Sequence, residues 1–244
     1  FTDTLFFQDK LKKLNFNDNE EKILYKGIPF MNSFLKPLNK KIEINFNCRV
    51  KKIVNSNHKL KILGDDNLFY GNFDWVLTTM PPEQVYNVIP DCIKFKSFLK
   101  SIYMRPCLTL MVGYEDRCNK LSEKIIKIDG SLVEKLIINK IENEKKNLFS
   151  IVAYSSDSWA KENFFRDSKK NVDILLGKTI SLIKLETKDI STYDFHKWKY
   201  STVNDNNDYN FFLDQNFKLG VCGDWCFDGS VDGAYNSSIN LSKK

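Results

Sequence analysis

The stretch that decides the fold is Leu219-Gly-Val-Cys-Gly-Asp-Trp-Cys-Phe-Asp-Gly-Ser-Val-Asp-Gly-Ala-Tyr-Asn-Ser-Ser238, or LGVCGDWCFDGSVDGAYNSS. Four of the chain's ten glycines fall between Gly220 and Gly233. Phe217 to Cys222 is a mostly apolar run of strand length, while Val231, Ala234, Tyr235, Ser238 and Ile239 suit one face of a helix. The order is therefore strand, Gly-Asp turn, short loop and helix start. It sets backbone N–H groups and the positive end of a helix dipole just beyond the carboxyl end of a strand, where α/β sheets take anionic ligands. Gly223 would let a ligand approach the backbone, and Asp224 would offer a carboxylate acceptor to hydroxyl groups. No Gly-Lys-Ser/Thr follows, which excludes a P-loop. Gly-Asp and Asp-Gly are also common turn formers, so this stretch by itself reads first as a tight turn.

Working outward, the spacing of Leu5, Phe6, Leu11 and Leu14 predicts a short helix over residues 1–14, and Asn15 to Lys22 a loop. A second short helix is predicted over Gly27 to Leu38, with Pro29 near its start and Phe30, Met31, Phe34, Leu35 and Leu38 on one face. Strands are predicted at Lys41 to Phe46, Arg49 to Asn55, Lys59 to Leu63 and Leu68 to Tyr70, with a turn at Gly64 to Asn67. Phe73 to Thr79 reads as a strand covered on both faces, ended by Met80-Pro-Pro82. After a helical piece at Gln84 to Val88, strands follow at Pro106 to Gly113, Ile125 to Ile128, Leu132 to Asn139 and Leu148 to Tyr154, an antiparallel sheet. Ser168 to Leu185 carries apolar residues at helical spacing behind a Ser168 cap, and Ser191 to Thr202 alternates around His196 and Trp198. A His and a Trp on a strand are most simply core residues.

Composition narrows the function classes. A chain of 244 residues with 42% hydrophobic and 14% aromatic content can bury a sizeable core. It has no uncharged apolar run of about 18 residues and no signal-peptide pattern, so the expected location is the cytoplasm, with no membrane partner. The net charge of +6 is nearly all lysine, since only Arg49, Arg105, Arg117 and Arg166 are arginine. Lysines spread over solvated faces leave nucleic acid a poor partner. Six cysteines form no C-x-x-C pair. Buried free thiols are the expectation, and no metal site is assigned, even with His196 near Cys222 and Cys226 in the sequence.

Taken in order, several segments resemble FAD-dependent amine-oxidase-like enzymes, most of all their renalase-like branch. Gly223-Asp-Trp followed by Val231-Asp-Gly-Ala-Tyr-Asn-Ser237 is similar to that family's closing motif, G-D-W and then V-E-G-A-x-x-S-G. Gly27-Ile-Pro-Phe-Met31 resembles G-x-P-G-M, and Ile42 to Ile53 resembles a strand pair ending in R-V-x-x-I. Phe73-Asp-Trp-Val-Leu-Thr-Thr-Met-Pro81 is similar to F-D-x-V-V-L-A-x-P. Arg105-Pro-Cys-Leu-Thr-Leu-Met-Val-Gly-Tyr114 and His196-Lys-Trp-Lys-Tyr200 resemble strands of the substrate domain.

The resemblance implies an α/β fold, a partial FAD/NAD(P)-binding Rossmann-like domain with an inserted, mostly antiparallel α+β substrate domain. Its expected parts are residues 1–26 as a segment of the substrate domain, 27–85 and 210–244 as FAD domain, and 86–209 as substrate domain. Val50 would contact adenine, and Asp224 the ribityl or pyrophosphate oxygens, with Gly223 admitting the ligand. Val231, Gly233 and Ala234 would meet the flavin's pyrimidine edge, while His196 and Trp198 would line the substrate pocket. The substrate would be a small amine or a dihydronicotinamide of NAD(P)H type, and no residue is assigned as a catalytic base. The chain departs from the pattern at Asp232, Ser238 and Phe30, and its sequence holds no G-x-G-x-x-G and no following ribose-binding acid. It therefore reads as the C-terminal two-thirds of such an oxidoreductase, with FAD retention by this chain alone an open question. Two other readings stay open: a non-catalytic remnant or interaction domain that keeps the fold, and a lysine-rich module for anionic partners.

Overall fold

A computed structural model of the protein describes residues 11–14, 24–37, 42–141, 143, 145–203, 207 and 209–244. The chain divides into two compact units, Phe1–Met104 with Thr202–Lys244, and Arg105–Ser201.

The second unit is built on strands β7 (Met104–Glu115), β8 (Lys124–Lys127), β9 (Val133–Ile141), β10 (Leu148–Ser155) and β11 (Ile190–Val203), in the order β11-β7-β10-β9-β8. The pairings β7/β10, β9/β10 and β8/β9 are antiparallel. Strand alternation sends Leu108, Leu110 and Val112 of β7, Leu136 and Ile138 of β9, and Phe149, Ile151 and Ala153 of β10 to one face, where all are buried. Helices α3 (Asp157–Asn163) and α4 (Ser168–Ile183) lie in the same core through Ala160, Val172 and Leu175. Each such large apolar side chain contributes about 1.5–3 kcal/mol of burial. Ser156 caps α3 by accepting from Trp159 N–H, and Asp167 caps α4 by accepting from Lys170 N–H at 3.1 Å. The cap of α4 is thus one residue earlier than Ser168, because the carboxylate outcompetes the hydroxyl. Lys197 Nζ donates to the carbonyls of Phe164 and Arg166, both at 2.8 Å, just past the end of α3.

The first unit holds three small sheets. Strands β1 (Leu11–Leu14) and β2 (Leu24–Gly27) form an antiparallel pair. Strands β3 (Lys52–Ser56), β4 (Lys59–Leu63) and β5 (Phe69–Phe73) form a meander, with a short 3₁₀ turn at Asp65–Asn67. Strands β6 (Val76–Thr78), β12 (Phe212–Asp214) and β13 (Leu219–Val221) form the third sheet, ordered β12-β13-β6. There β13 runs parallel to β6, with Gly220 opposite Leu77, and antiparallel to β12. Helices α1 (Pro82–Val88), α2 (Lys96–Leu99) and α5 (Val231–Ser242) complete the unit.

Several sequence expectations give way here. Leu11 to Leu14 is a strand, since pairing with Leu24 to Gly27 satisfies backbone groups that one helical turn cannot; residues 1–10 and the expected loop at 15–22 lie outside the described residues. Gly27 to Pro37 is a chain of turns held by i to i+3 bonds such as Ser33 N–H to Phe30 O, 2.9 Å, and Leu35 N–H to Asn32 O, 3.1 Å. Of the described residues of the expected apolar face only Phe34 is buried, and Phe30 is 65% exposed; Leu38 lies outside the described residues. Ile42 to Phe46 is not a strand; it runs irregularly into a turn where Asn47 takes φ 59°. Leu77 is 59% exposed, so the strand at Phe73 to Thr79 is shorter and covered on one face only. All six cysteines are free, but Cys48, Cys92 and Cys118 are exposed, and only Cys107, Cys222 and Cys226 match the buried expectation.

Candidate functional site

The parallel pair β6/β13 ends where the decisive stretch turns. Cys222 N–H donates to Thr78 O at 3.1 Å, extending the ladder one step past β13. The chain then leaves the sheet at Gly223, whose backbone is fully extended. A Cβ at Gly223 would sit 2.6 Å from Trp225 Nε1 and 2.9 Å from its Cδ1, so only glycine lets the indole fold back beneath the turn. Trp225 is fully buried, and its Nε1–H donates to Met80 O at 3.1 Å, which ties the turn to the end of the neighbouring strand. Asp224 to Cys226 is a single 3₁₀ turn closed by Phe227 N–H and Gly229 N–H, both donating to Asp224 O. Gly229 adopts φ +73°, where a side chain would be strained and would also strike Thr202 Oγ1.

Helix α5 starts with its own cap. Ser230 Oγ accepts from Gly233 N–H at 2.9 Å, and Asp228 Oδ1 in turn accepts from Ser230 N–H at 3.0 Å and Ser230 Oγ–H at 2.5 Å. Ala234 N–H makes the first intrahelical bond, to Ser230 O. Of the first-turn donors, the Val231 and Asp232 amides thus find no acceptor among the described residues. Val231 is exposed, Ala234 half-buried and Gly233 buried. One turn further, Ser237 is fully buried and clamps the helix to the turn: its Oγ accepts from Gly223 N–H at 3.2 Å and donates to Asn210 O at 2.5 Å.

Asp224 is half-buried, and the loss of water around it pushes its carboxyl above the ordinary carboxylate range. Backbone N–H groups of Trp225 and Asp224 itself pull partly the other way, while the Asp228 charge adds to the rise. Burial likewise pushes the Cys226 thiol up to about 11 and raises Cys222, so neither is a ready nucleophile.

Gly223, Asp224, Val231, Gly233 and Ala234 thus share one turn and helix start. Val50 lies at the entrance to β3, next to Lys51, whose N–H donates to Leu63 O at 2.8 Å. His196 and Trp198 belong to the other unit, on the edge strand β11, with ring centroids 4.0 Å apart. They are not core residues as a strand location suggested; both are exposed, Trp198 at 49%. Sequence reasoning missed Ser230, Asp228 and Ser237. Ser230 was within reach, as a serine directly before the first helical residue.

The site thus combines two donors that find no acceptor among the described residues with a half-buried carboxylate, beyond the carboxyl end of a parallel strand pair. No Gly-x-Gly-x-x-Gly for the pyrophosphate stands in the sequence. The family described as "flavin containing amine oxidoreductase" matches residues 10–243. Among solved structures, a putative protoporphyrinogen oxidase from Exiguobacterium sp. 255-15 aligns at TM-score 0.60 and 13% identity, covering 86% of this chain and 50% of that one. Two putrescine oxidase variants redesigned in cofactor binding align similarly. A single mutant does so at TM-score 0.59 and 13% identity, covering 86% and 51%. A double mutant does so at TM-score 0.58 and 13% identity, covering 86% and 50%. The chain spans about half the length of these structures.

Proposed function

The chain belongs to the flavin-containing amine oxidoreductase family, and from that premise we propose that it supplies the closing part of the FAD site in a renalase-like, FAD-dependent oxidoreductase of small amines or dihydronicotinamides. The observation that carries this reading is the pairing of the Asp224 carboxylate with the open Val231 and Asp232 amides in one turn. A bound FAD would supply the hydride acceptor for oxidation of the substrate, with dioxygen as the proposed final electron acceptor. The chain's own residues position and polarise. Asp224 would accept hydrogen bonds from hydroxyls of the ribityl chain, and Gly223, whose missing side chain makes room for the Trp225 indole, would hold the turn that presents it. The amides of Val231 and Asp232, at the positive end of α5, would stabilise the negative charge that a flavin gains at its pyrimidine edge on reduction. The cap on Gly233 and the Ser237 clamp hold that edge in place. Val50 meets the adenine from the β3 side, and residues 27–85 with 210–244 act as the FAD-binding part. Residues 86–209 act as the substrate domain, with His196 and Trp198 on its pocket wall.

The test is FAD titration of the protein followed by flavin fluorescence, alongside Asp224→Ala. A hydrogen bond to a charged group is worth about 1.5–3 kcal/mol, so the variant should bind roughly 10- to 100-fold more weakly. Equal affinity in the variant, or no FAD binding by the protein, overturns the reading.

A further inference from the structure

The turn between β8 and β9 and the start of α3 together line a cavity of about 440 Å³, within the range of small-molecule sites. Both walls belong to the unit Arg105–Ser201, and Ser156 N–H ties them by donating to Leu132 O at 2.9 Å. Ile128 N–H donates to Glu134 O at 2.8 Å and closes the turn. The apolar lining comes from Ile128, Leu132 and Trp159, each of which also packs against the unit's core. The wall is therefore anchored rather than free to collapse.

A break in the sheet brings one acid to this cavity. Leu136 and Ile138 of β9 point into the core, and strict alternation would send Glu134 there with them. Instead the register against β10 slips: Tyr154 lies opposite Lys135, but Ser155 lies opposite Val133, so Glu134 is an extra residue with no opposite number. Such a bulge re-aims a side chain. Val133 takes the core position, fully buried, and Glu134 lines the cavity, half-buried.

Two further carboxylates line it, Asp129 in the turn and Glu162 on α3, both exposed. Among the described residues none of the three acids has a side-chain hydrogen-bond or ion-pair partner, and no Lys, Arg or His lines the cavity. Two neighbouring lysines are engaged elsewhere: Lys135 lies 4.6 Å from the Tyr154 ring centroid, and Lys161 pairs with Asp157 at 2.8 Å. In a chain of net charge +6 this is a local reversal of sign. A partly buried carboxylate without a partner costs free energy that a cation in the cavity would offset. Among the described residues no three such groups converge where one metal ion could sit, so the charges are spread around the wall. Spread carboxylates beside aliphatic and indole surface match a ligand whose own positive charges are separated by an apolar chain.

We propose that this cavity binds a small organic dication, two ammonium groups joined by a short aliphatic chain. Glu134 takes one ammonium group, Asp129 and Glu162 draw the other, and Ile128, Leu132 and Trp159 cover the chain between them. The site shares no residue with the turn at Gly223 and does not depend on the flavin reading.

The experiment follows the Trp159 indole N–H resonance of ¹⁵N-labelled protein, identified among the four tryptophans by its loss in Trp159→Phe. The protein is titrated separately with diaminopentane, pentanediol, magnesium chloride and Nα-acetyl-lysine methylamide. The expected result is a saturable shift with diaminopentane that weakens with added salt. Binding should fall about tenfold in Glu134→Gln and about threefold in Glu162→Gln, whose exposed carboxylate is screened by solvent. The Glu162 variant serves if the Glu134 variant does not fold. No saturable shift with diaminopentane, or undiminished binding in the variants, overturns the proposal. So does binding as tight by pentanediol, which would make it a hydroxyl site, by magnesium, a metal site, or by the lysine mimic, a site for one protein ammonium group. FAD affinity should be unchanged in Glu134→Gln, and failure of the unaltered protein to bind FAD would leave the dication result standing.

Discussion

Two sheets of this molecule solve the same problem with different completeness. In Arg105–Ser201 the five-stranded sheet buries Leu108, Leu110, Ile138, Ile151 and their neighbours together with residues of α3 and α4. In the other unit, the three-stranded sheet β12-β13-β6 buries Leu219 and Val221 on one face, yet on the other leaves Leu77 and Trp75 in the open. Leu77, Trp75, Leu213 and Leu241 line a shallow apolar cavity of about 180 Å³ there. The difference shows where stability and function divide. The complete core can hold a fixed wall, whereas the incomplete sheet carries the turn with open donors and a desolvated acid.

Substitutions can break that comparison. Leu110→Ala should cost about 2–5 kcal/mol in denaturant unfolding, the price of a cavity in a filled core. Leu77→Ala should stay within about 0.5 kcal/mol, as for an exposed side chain. Similar losses for both would mean that Leu77 is covered and the contrast is false. Between these extremes, Ser237→Ala should cost about 1–3 kcal/mol, since it removes the acceptor of the buried Gly223 N–H. An effect near zero would show that the clamp between turn and helix does not hold.

The smallest effect is a gain. A carboxyl raised above its unfolded value binds protons more readily in the folded state, so its contribution to stability falls as pH rises through the carboxylate range. Asp224→Asn should therefore raise the melting temperature slightly at pH 7, and the advantage should vanish once the pH drops below the ordinary aspartate value, where both proteins carry a neutral side chain. A destabilised asparagine variant at pH 7 would show that the charge is held favourably and contradict the assigned desolvation.

The five-stranded sheet and α4 were legible because their apolar periodicity is long and regular, as at Leu108 to Tyr114 and Val172 to Leu175. The closing strand, turn and helix were legible from glycines and acids whose spacing admits few alternatives. Short elements were not. Leu11 to Leu14 satisfies helical and extended patterns alike, and only its partner at Leu24 to Gly27 decides between them. Phe30 and Met31 carry the apolar spacing of a helix face, but the chain there runs in turns and leaves both exposed. The Ser237 clamp has no sequence signal at all, because its partners at Gly223 and Asn210 meet it only when neighbours are placed in space.

The central claim is that the turn at Gly223 and the start of α5 form one edge of a flavin site. Its most direct measurement is a ¹⁵N backbone titration of the protein with FAD. The account predicts that the Val231 and Asp232 amide resonances move saturably, and that they stay fixed at the same FAD concentrations in Asp224→Ala. Fixed Val231 and Asp232 resonances in the unaltered protein, with FAD shifts falling elsewhere on the chain, would contradict it.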